Sequence, residues 1–113
     1  MSTTIAYPKT TIICPHGAIN ASNASDFQQK MVKAIAEDGC SHLLVNLEQV
    51  ESLDSAGLMA LVSSLRLAHS LERRFSLCSV SPAIRIIFEL TQLDRVFEIF
   101  EDCAAFSNAI TAR

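Results

Sequence analysis

The segment Asp54-Ser55-Ala56-Gly57 has the residue types and spacing most suited to chemistry in this chain. An apolar run precedes it and a helical pattern follows it, which places Ser55 at the start of a helix. The first turn of a helix has unpaired N–H groups and a partial positive charge, so a phosphate on Ser55 would be stabilised there. Asp and Ser are also common helix N-cap residues, and the segment can be both a cap and a phosphorylation site.

A serine hydrolase is the main catalytic alternative for Ser55. The residues from Leu53 to Gly57, LDSAG, do not match the G-x-S-x-G nucleophile elbow. No sequence feature brings His16 or His42 to Ser55, and an Asp directly before the Ser is not the usual partner of a catalytic base. We therefore expect no catalytic residues and no enzyme activity.

Metal and cofactor sites also lack support in the sequence. The cysteines are widely spaced and form no C-x-x-C pair; they are Cys14, Cys40, Cys78 and Cys103. The three histidines are dispersed, and none of the three glycines belongs to a G-x-x-x-x-G-K loop. We expect reduced thiols, no metal and no cofactor.

Composition indicates a single domain spanning residues 1–113. Half of the 113 residues are apolar, which is enough for a hydrophobic core. The net charge of −3 argues against nucleic acid as a partner, and the densest basic spot, Arg73-Arg74, is expected to be a solvated turn. Neither a signal peptide nor an apolar run long enough for a membrane helix is visible, so we expect a soluble, cytoplasmic protein without a membrane partner.

The N-terminal half predicts a hairpin, a helix and a buried strand. The β-branched runs Thr3–Tyr7 and Thr10–Pro15 are separated by Pro8, which favours a turn. A helix follows and is expected to end at Gly39. Its start is capped either by Ser25, which fits a capping box, or earlier by Ser22 or Asn23. The run HLLVNL at 42–47 is typical of a central strand covered on both faces.

The C-terminal half repeats strand and helix. A helix after Ser55 is followed by a strand at 75–80, a helix opened by Ser81-Pro82, a strand at 96–100 and a helix capped by Asp102. The order ββαβαβαβα predicts an α/β fold, with a mixed sheet of four to five strands and about four helices.

Functional sites of open α/β sheets lie beyond the carboxyl ends of the strands. Two polar segments occupy such positions, the loop from Gly17 to Ser25 and the segment from Glu48 to Gly57. Both segments are therefore candidate functional sites.

Four stretches together resemble the STAS domain family, named for sulphate transporters and anti-sigma factor antagonists. Residues 17–21, GAINA, resemble its G-x-L/I-D-A motif, and residues 43–50 resemble its strand ending in D-L-S-x-V. Residues 53–58, LDSAGL, match D-S-[SA]-G-L, and residues 81–85 and 91–94 resemble S-P-x-[VI]-R and T-G-L-D. The similarity spans nearly the whole chain.

The resemblance implies a phosphorylation-controlled antagonist of an anti-sigma factor. Ser55 would be phosphorylated by a serine kinase that is also the anti-sigma factor; the unphosphorylated form would bind that kinase and release a sigma factor. A PP2C-type phosphatase would reset the cycle, and the protein would be a monomer or a weak dimer. The loop from Asn20 to Asn23 would lie next to Ser55. The partner-binding residues would be Asn20, Asn23, Asp54, Ser55, Ala56, Gly57 and Met59.

Three residues depart from the family pattern. Asn20 and Asn46 stand where the family often has Asp, and Gln92 stands where it has Gly. Asn20 and the apolar Met59 keep a second hypothesis open, in which the same surface serves an unphosphorylated scaffold within a larger bacterial signalling assembly.

Overall fold

A computed structural model of the chain describes residues 10–37 and 40–111. Those residues form six strands, four α-helices and a short 3₁₀ turn at Leu93–Arg95. The strands are β1 (Thr10–Ile13), β2 (Gly17–Ile19), β3 (His42–Asn46), β4 (Val50–Leu53), β5 (Arg74–Cys78) and β6 (Glu98–Phe100). The helices are α1 (Ala24–Ala36), α2 (Ser55–Ser70), α3 (Pro82–Leu90) and α4 (Cys103–Thr111).

The main sheet has the strand order β1-β3-β5-β6, and its neighbouring strands are all parallel. The central strand β3 is buried on both faces, as its apolar run predicts: Leu43 and Val45 face one layer, and Leu44 faces the other. The predicted hairpin and the mixed character of the sheet depend on Thr3–Tyr7, which lies outside the described residues.

A second, two-stranded sheet consists of β2 paired in parallel with β4. Both segments were predicted to be loops, and this prediction is wrong for Gly17–Ile19 and Val50–Leu53. Neither GAI nor VESL shows a continuous apolar run or a clear alternation, so the pairing of these strands is visible only in the fold. Gly17 has φ +76° beside the irregular start of this ladder, a conformation that glycine adopts without a steric penalty.

Helices cover both faces of the main sheet. Residues of α1, α2 and α3 pack on one face around a core that includes Met31, Ile35, Leu61 and Phe88. Helix α4 covers the other face, where Phe106 packs with Leu44 and Cys78 of the strands.

Helix ends match the sequence in part. The N-caps Ser81 and Asp102 are confirmed, because their side-chain oxygens accept from the backbone N–H groups of Ile84 and Ala105. Helix α1 begins at Ala24 with Asn23 at the N-cap position, so the alternative of an earlier start at Asn23 is confirmed and the capping box at Ser25 is wrong. The predicted helix end at Gly39 lies outside the described residues.

The pair Arg73-Arg74 is not merely a solvated turn. The Arg73 guanidinium donates to the backbone carbonyls of Ile35 and Glu37, at the end of α1. Arg74 forms an ion pair with Glu98 on the neighbouring strand. Both side chains therefore hold elements of the fold together.

Candidate functional site

The small sheet brings the two predicted loops together. Ile19 and Leu53 are paired at the ends of β2 and β4, and the Asp54 N–H donates to the Ile19 carbonyl at 3.1 Å. Asn20 and Asp54 are therefore the first residues beyond two neighbouring strand ends. The expected juxtaposition of the loops is confirmed, although the ladder that produces it was not predicted.

Ser55 is the first residue of α2 and is exposed. Asp54 caps this helix: its Oδ1 accepts from the N–H groups of Ala56 at 2.9 Å and Gly57 at 3.1 Å. The Asp54 carboxylate therefore already accepts from two of the first-turn N–H groups that a phosphate on Ser55 was expected to use.

Gly57 is buried and has a packing role. A Cβ built at this position would lie 2.6 Å from Leu53 Cδ1 and 2.8 Å from Ile19 Cγ2. The absence of a side chain thus lets the first turn of α2 rest directly on β2 and β4. Gly57 was predicted to be a partner-binding residue, but it is buried. Its role is to set how closely the start of α2, with Ser55, packs on these two strands.

Ser55 and Met59 form the outward face of the first two turns of α2. They are four residues apart, so they lie on the same side of the helix. Met59 is 57% exposed, and Ala56 beside it is half-buried. A hydroxyl and a flexible thioether are therefore presented together, a combination that suits contact with another protein surface.

Asn20 and Asn23 organise the adjacent loop through their own side chains. Asn23 Oδ1 accepts from the Asn20 N–H, and Asn23 Nδ2 donates to the Ala18 carbonyl, at 2.9 and 2.8 Å. Asn20 Oδ1 accepts from both the N–H and the hydroxyl of Ser22. These bonds hold the loop in one shape next to the start of α2.

His42 belongs to a different cluster from Ser55, on the opposite face of the main sheet. Its Nε2 lies 2.8 Å from Ser76 Oγ, whose hydroxyl donates to Glu98 Oε1 at 2.6 Å. Arg74 binds the same carboxylate. His42 and Ser76 are both buried, whereas the side chains of Arg74 and Glu98 are 54% and 38% exposed. Sequence reasoning missed it because its members lie on three different strands.

Burial and the nearby Arg74 charge, opposed by Glu98, lower the pKa of His42 to about 4. The pKa of Glu98 is also lowered, since hydrogen bonds from Arg74 and Ser76 outweigh the effect of its burial. The ordinary state of the array is therefore a neutral imidazole beside a charged carboxylate and guanidinium.

Within the described ranges, no cluster of His, Cys, Asp and Glu side chains is suited to hold a metal ion. None of the helices in those ranges has the length and apolar character that a bilayer crossing requires. An open groove of about 290 Å³ lies between the end of β1 and α1, with Asn23, Asp26 and Lys30 in its wall.

The fold and the site define a small α/β domain with an exposed serine where a helix begins at the carboxyl edge of its strands. The family model described as STAS domain matches residues 3–105. The chain therefore belongs to the STAS domain family, which confirms the resemblance seen in the sequence.

Individual relatives agree with this assignment. A Thermotoga neapolitana protein proposed to be an anti-sigma factor antagonist is 29% identical over 90 residues, covering 80% of each chain. A Thermotoga maritima crystal structure of a protein proposed to have that role superposes with a TM-score of 0.82 at 26% identity, covering 89% of this chain and 86% of the other. The unphosphorylated form of the anti-sigma factor antagonist SpoIIAA gives a TM-score of 0.74 at 19% identity, with 94% and 92% covered. Bacillus SpoIIAA has also been solved in its phosphorylated form.

Proposed function

We propose that this protein is an anti-sigma factor antagonist controlled by phosphorylation of Ser55. The observation that carries the proposal is the exposed Ser55 at the first position of α2, beside the Asp54 cap and the ordered Asn20 loop. The names of its relatives support the role in sigma-factor regulation. In this role the chain acts by binding and as a kinase substrate, without catalysis of its own.

The unphosphorylated form binds a serine kinase that is also the anti-sigma factor, which frees the sigma factor. The partner packs on the surface formed by Ser55 and Met59, with the Asn20 and Asn23 loop and Ala56 at its border. A PP2C-type phosphatase removes the phosphate and restores binding. The protein acts in the cytoplasm as a monomer or weak dimer, and nucleic acid and membrane are not its partners.

Phosphorylation would block this contact through charge and bulk. A phosphate adds about −1.5 to −2 charges. The Asp54 carboxylate already occupies two amides of the helix end, so the phosphate gains little neutralisation from that end and lies beside a like charge. A partner would have to desolvate both charges, and a loss of about 3 kcal/mol lowers affinity by roughly 100-fold.

The fold itself need not change on phosphorylation. The cap bonds come from Asp54, and the loop bonds come from Asn20 and Asn23. A phosphate on the exposed Ser55 hydroxyl leaves these bonds in place. The switch is therefore a local change of the partner surface.

The test is to incubate the protein with its cognate anti-sigma kinase and ATP, followed by fragmentation mass spectrometry. We expect one phosphate, located on Ser55, and none on the Ser55→Ala variant. Ser52→Ala is a matched control, because Ser52 is exposed only three residues earlier and should not affect labelling. Equal labelling of Ser55→Ala and the unmodified sequence would refute the proposal.

The exposure of Met59 favours a second candidate function, an unphosphorylated scaffold that uses the same surface in a larger assembly. Size-exclusion chromatography of a native lysate distinguishes the two. If the protein is a scaffold, the Ser55→Ala variant should still elute in a large complex, whereas the Met59→Glu variant should not. Elution of the unmodified protein at the size of the free chain would rule this candidate out.

A further inference from the structure

Two cysteines that are distant in sequence have adjacent sulfur atoms at the carboxyl edge of the main sheet. Cys78 ends β5 and Cys103 begins α4, and their Sγ atoms are 3.5 Å apart. Parallel pairing of Cys78 with Phe100 places the end of β6 beside Cys78, and α4 begins three residues later. The position of both sulfurs is thus fixed by the sheet.

The two thiols differ in access. Cys78 is fully buried, and burial together with the hydrogen bond to Cys103 raises the pKa of its thiol to about 12. Cys103 is only half-buried, so it is the more accessible of the two thiols to a small oxidant in solvent. The outer thiol is therefore suited to react first and the inner thiol to react second.

Asn46 orients the outer thiol. Its Oδ1 accepts from the Glu48 N–H at 2.9 Å, which leaves its Nδ2 to donate to Cys103 Sγ at 3.3 Å. An amide donor can stay with the sulfur as thiol or as thiolate, whereas the aspartate that the family often has here could not donate. This departure from the family pattern therefore has a specific contact to explain it.

We propose that Cys78 and Cys103 form a peroxide-sensitive site, in which Cys103 is oxidised first and Cys78 then closes an intramolecular disulfide. The site is separate from Ser55 and does not depend on the proposed function. Asn46 is its positioning residue.

The chemistry balances with hydrogen peroxide as the oxidant. The Cys103 thiolate attacks one peroxide oxygen; the S–O bond forms, the O–O bond breaks, and the leaving hydroxide takes the thiol proton as water. The Cys78 sulfur then attacks the sulfenic sulfur of Cys103; the S–S bond forms, the S–O bond breaks, and hydroxide leaves with the Cys78 proton as a second water. The two thiols lose two electrons, and peroxide gains them.

Tryptic mapping can test the pairing directly, because each cysteine lies on its own peptide. Cleavage after Lys and Arg places Cys14 on 10–30, Cys40 on 34–66, Cys78 on 75–85 and Cys103 on 96–113. The full chain is reduced, treated with hydrogen peroxide, blocked with N-ethylmaleimide and digested without reductant. We expect a mass loss of about 2 Da and a linked pair of 75–85 with 96–113.

Variants separate the two roles. After peroxide, Cys103→Ser should keep an alkylatable Cys78, and Cys78→Ala should accumulate a sulfenic acid at Cys103 that dimedone traps. If the buried Cys78→Ala variant does not fold, the alkylation of Cys78 in Cys103→Ser alone tests whether Cys103 reacts first. Asn46→Asp should slow oxidation of Cys103 by about tenfold, the usual effect of one hydrogen bond to a charged group, with unchanged circular dichroism of the reduced form.

Other outcomes overturn the proposal. A link from 10–30 to 75–85 would mean that the exposed Cys14 is the reacting thiol. Peroxide treatment that yields only sulfinic acid at Cys103, or leaves all four thiols alkylatable, would mean that the pair does not close. An oxidation rate of Asn46→Asp equal to that of the unmodified protein would remove Asn46 from the site.

Discussion

Gly57→Ala tests the claim that a missing side chain sets the position of Ser55, the proposed phosphorylation site. Two effects of opposite sign compete at this position. Alanine is favoured over glycine in a helix interior by about 1 kcal/mol, and by less in the first turn. Against this, the added methyl would lie 2.6 Å from Leu53 Cδ1 and 2.8 Å from Ile19 Cγ2.

The overlap is the larger effect. Ordinary carbon contacts begin at about 3.5 Å, so the two side-chain atoms must move by roughly 0.7 to 0.9 Å. Leu53 and Ile19 are only 5% and 3% exposed, so a shift of either side chain disturbs the packing of the core. Overpacking of this kind costs about 2 kcal/mol, which leaves a net loss of about 1 kcal/mol after the helix gain. For a chain of this length that corresponds to a fall in Tm of about 4 °C.

The assay is thermal unfolding together with the initial rate of Ser55 phosphorylation. We expect Gly57→Ala to lower both, because relief of the overlap lifts the first turn of α2 and displaces Ser55. Ser63→Ala is a control on the same helix, since it gains helix preference at a half-buried position without this overlap. The double variant Leu53→Val/Gly57→Ala should lose less stability than the sum of the single variants.

An equal or higher Tm for Gly57→Ala would refute the packing argument, since the helix preference would then exceed the overlap. A lower Tm with additive losses in the double variant would place the cost elsewhere than at Leu53. A lower Tm with an unchanged phosphorylation rate would show that Ser55 keeps its position when the helix end moves.

Three further predictions concern Asp54, Ser55 and His42. Asp54→Ala should lower the free energy of unfolding by about 1 kcal/mol, because the amides of Ala56 and Gly57 lose their acceptor. Asp54→Asn should lower it by only a few tenths of a kcal/mol, because Asn is also a good N-cap residue. Urea titration measures both losses, and equal losses would contradict the cap assignment. Ser55→Asp should weaken binding to the kinase by roughly 100-fold, while its Tm stays within about 2 °C of that of the unmodified protein. Calorimetry that finds equal affinities for the two forms would count against the charge mechanism. The free energy of unfolding should fall by up to about 3 kcal/mol as pH drops from 6.5 to about 4, because His42 takes up a proton in the unfolded chain but not in the folded one. Urea titrations across this window should show that the free energy of unfolding of His42→Gln depends less steeply on pH. An identical pH dependence would exclude His42 as the cause.

The main sheet and the helices were predictable because their apolar runs are long enough to show a period or continuous burial. The run at 42–47 and the helix after Ser55 are examples, and β3 and α2 follow them closely. The cap at Asp54 was predictable for a local reason, since its acceptor and both donors lie within four residues.

The features that sequence reasoning missed all depend on contacts between distant segments. The ladder of β2 with β4 joins residues more than thirty positions apart, and Gly57 is closed in by Ile19 and Leu53 from that ladder. Cys78 and Cys103 are 25 positions apart, and their contact follows from the register of β5 and β6. A spacing rule cannot find such pairs, because strand pairing determines which distant residues are neighbours.

The Asp54 cap also bears on how long a phosphate on Ser55 would persist. With the amides of Ala56 and Gly57 occupied, the helix end has fewer donors for the phosphate oxygens, and the group would extend further into solvent. An enclosed phosphate is protected from hydrolysis, whereas an extended one is open to a metal-dependent phosphatase without any unfolding of the helix. The same carboxylate that stabilises the helix would thus leave the phosphate open to removal. The lifetime of phosphorylated Ser55 would then be set by the phosphatase.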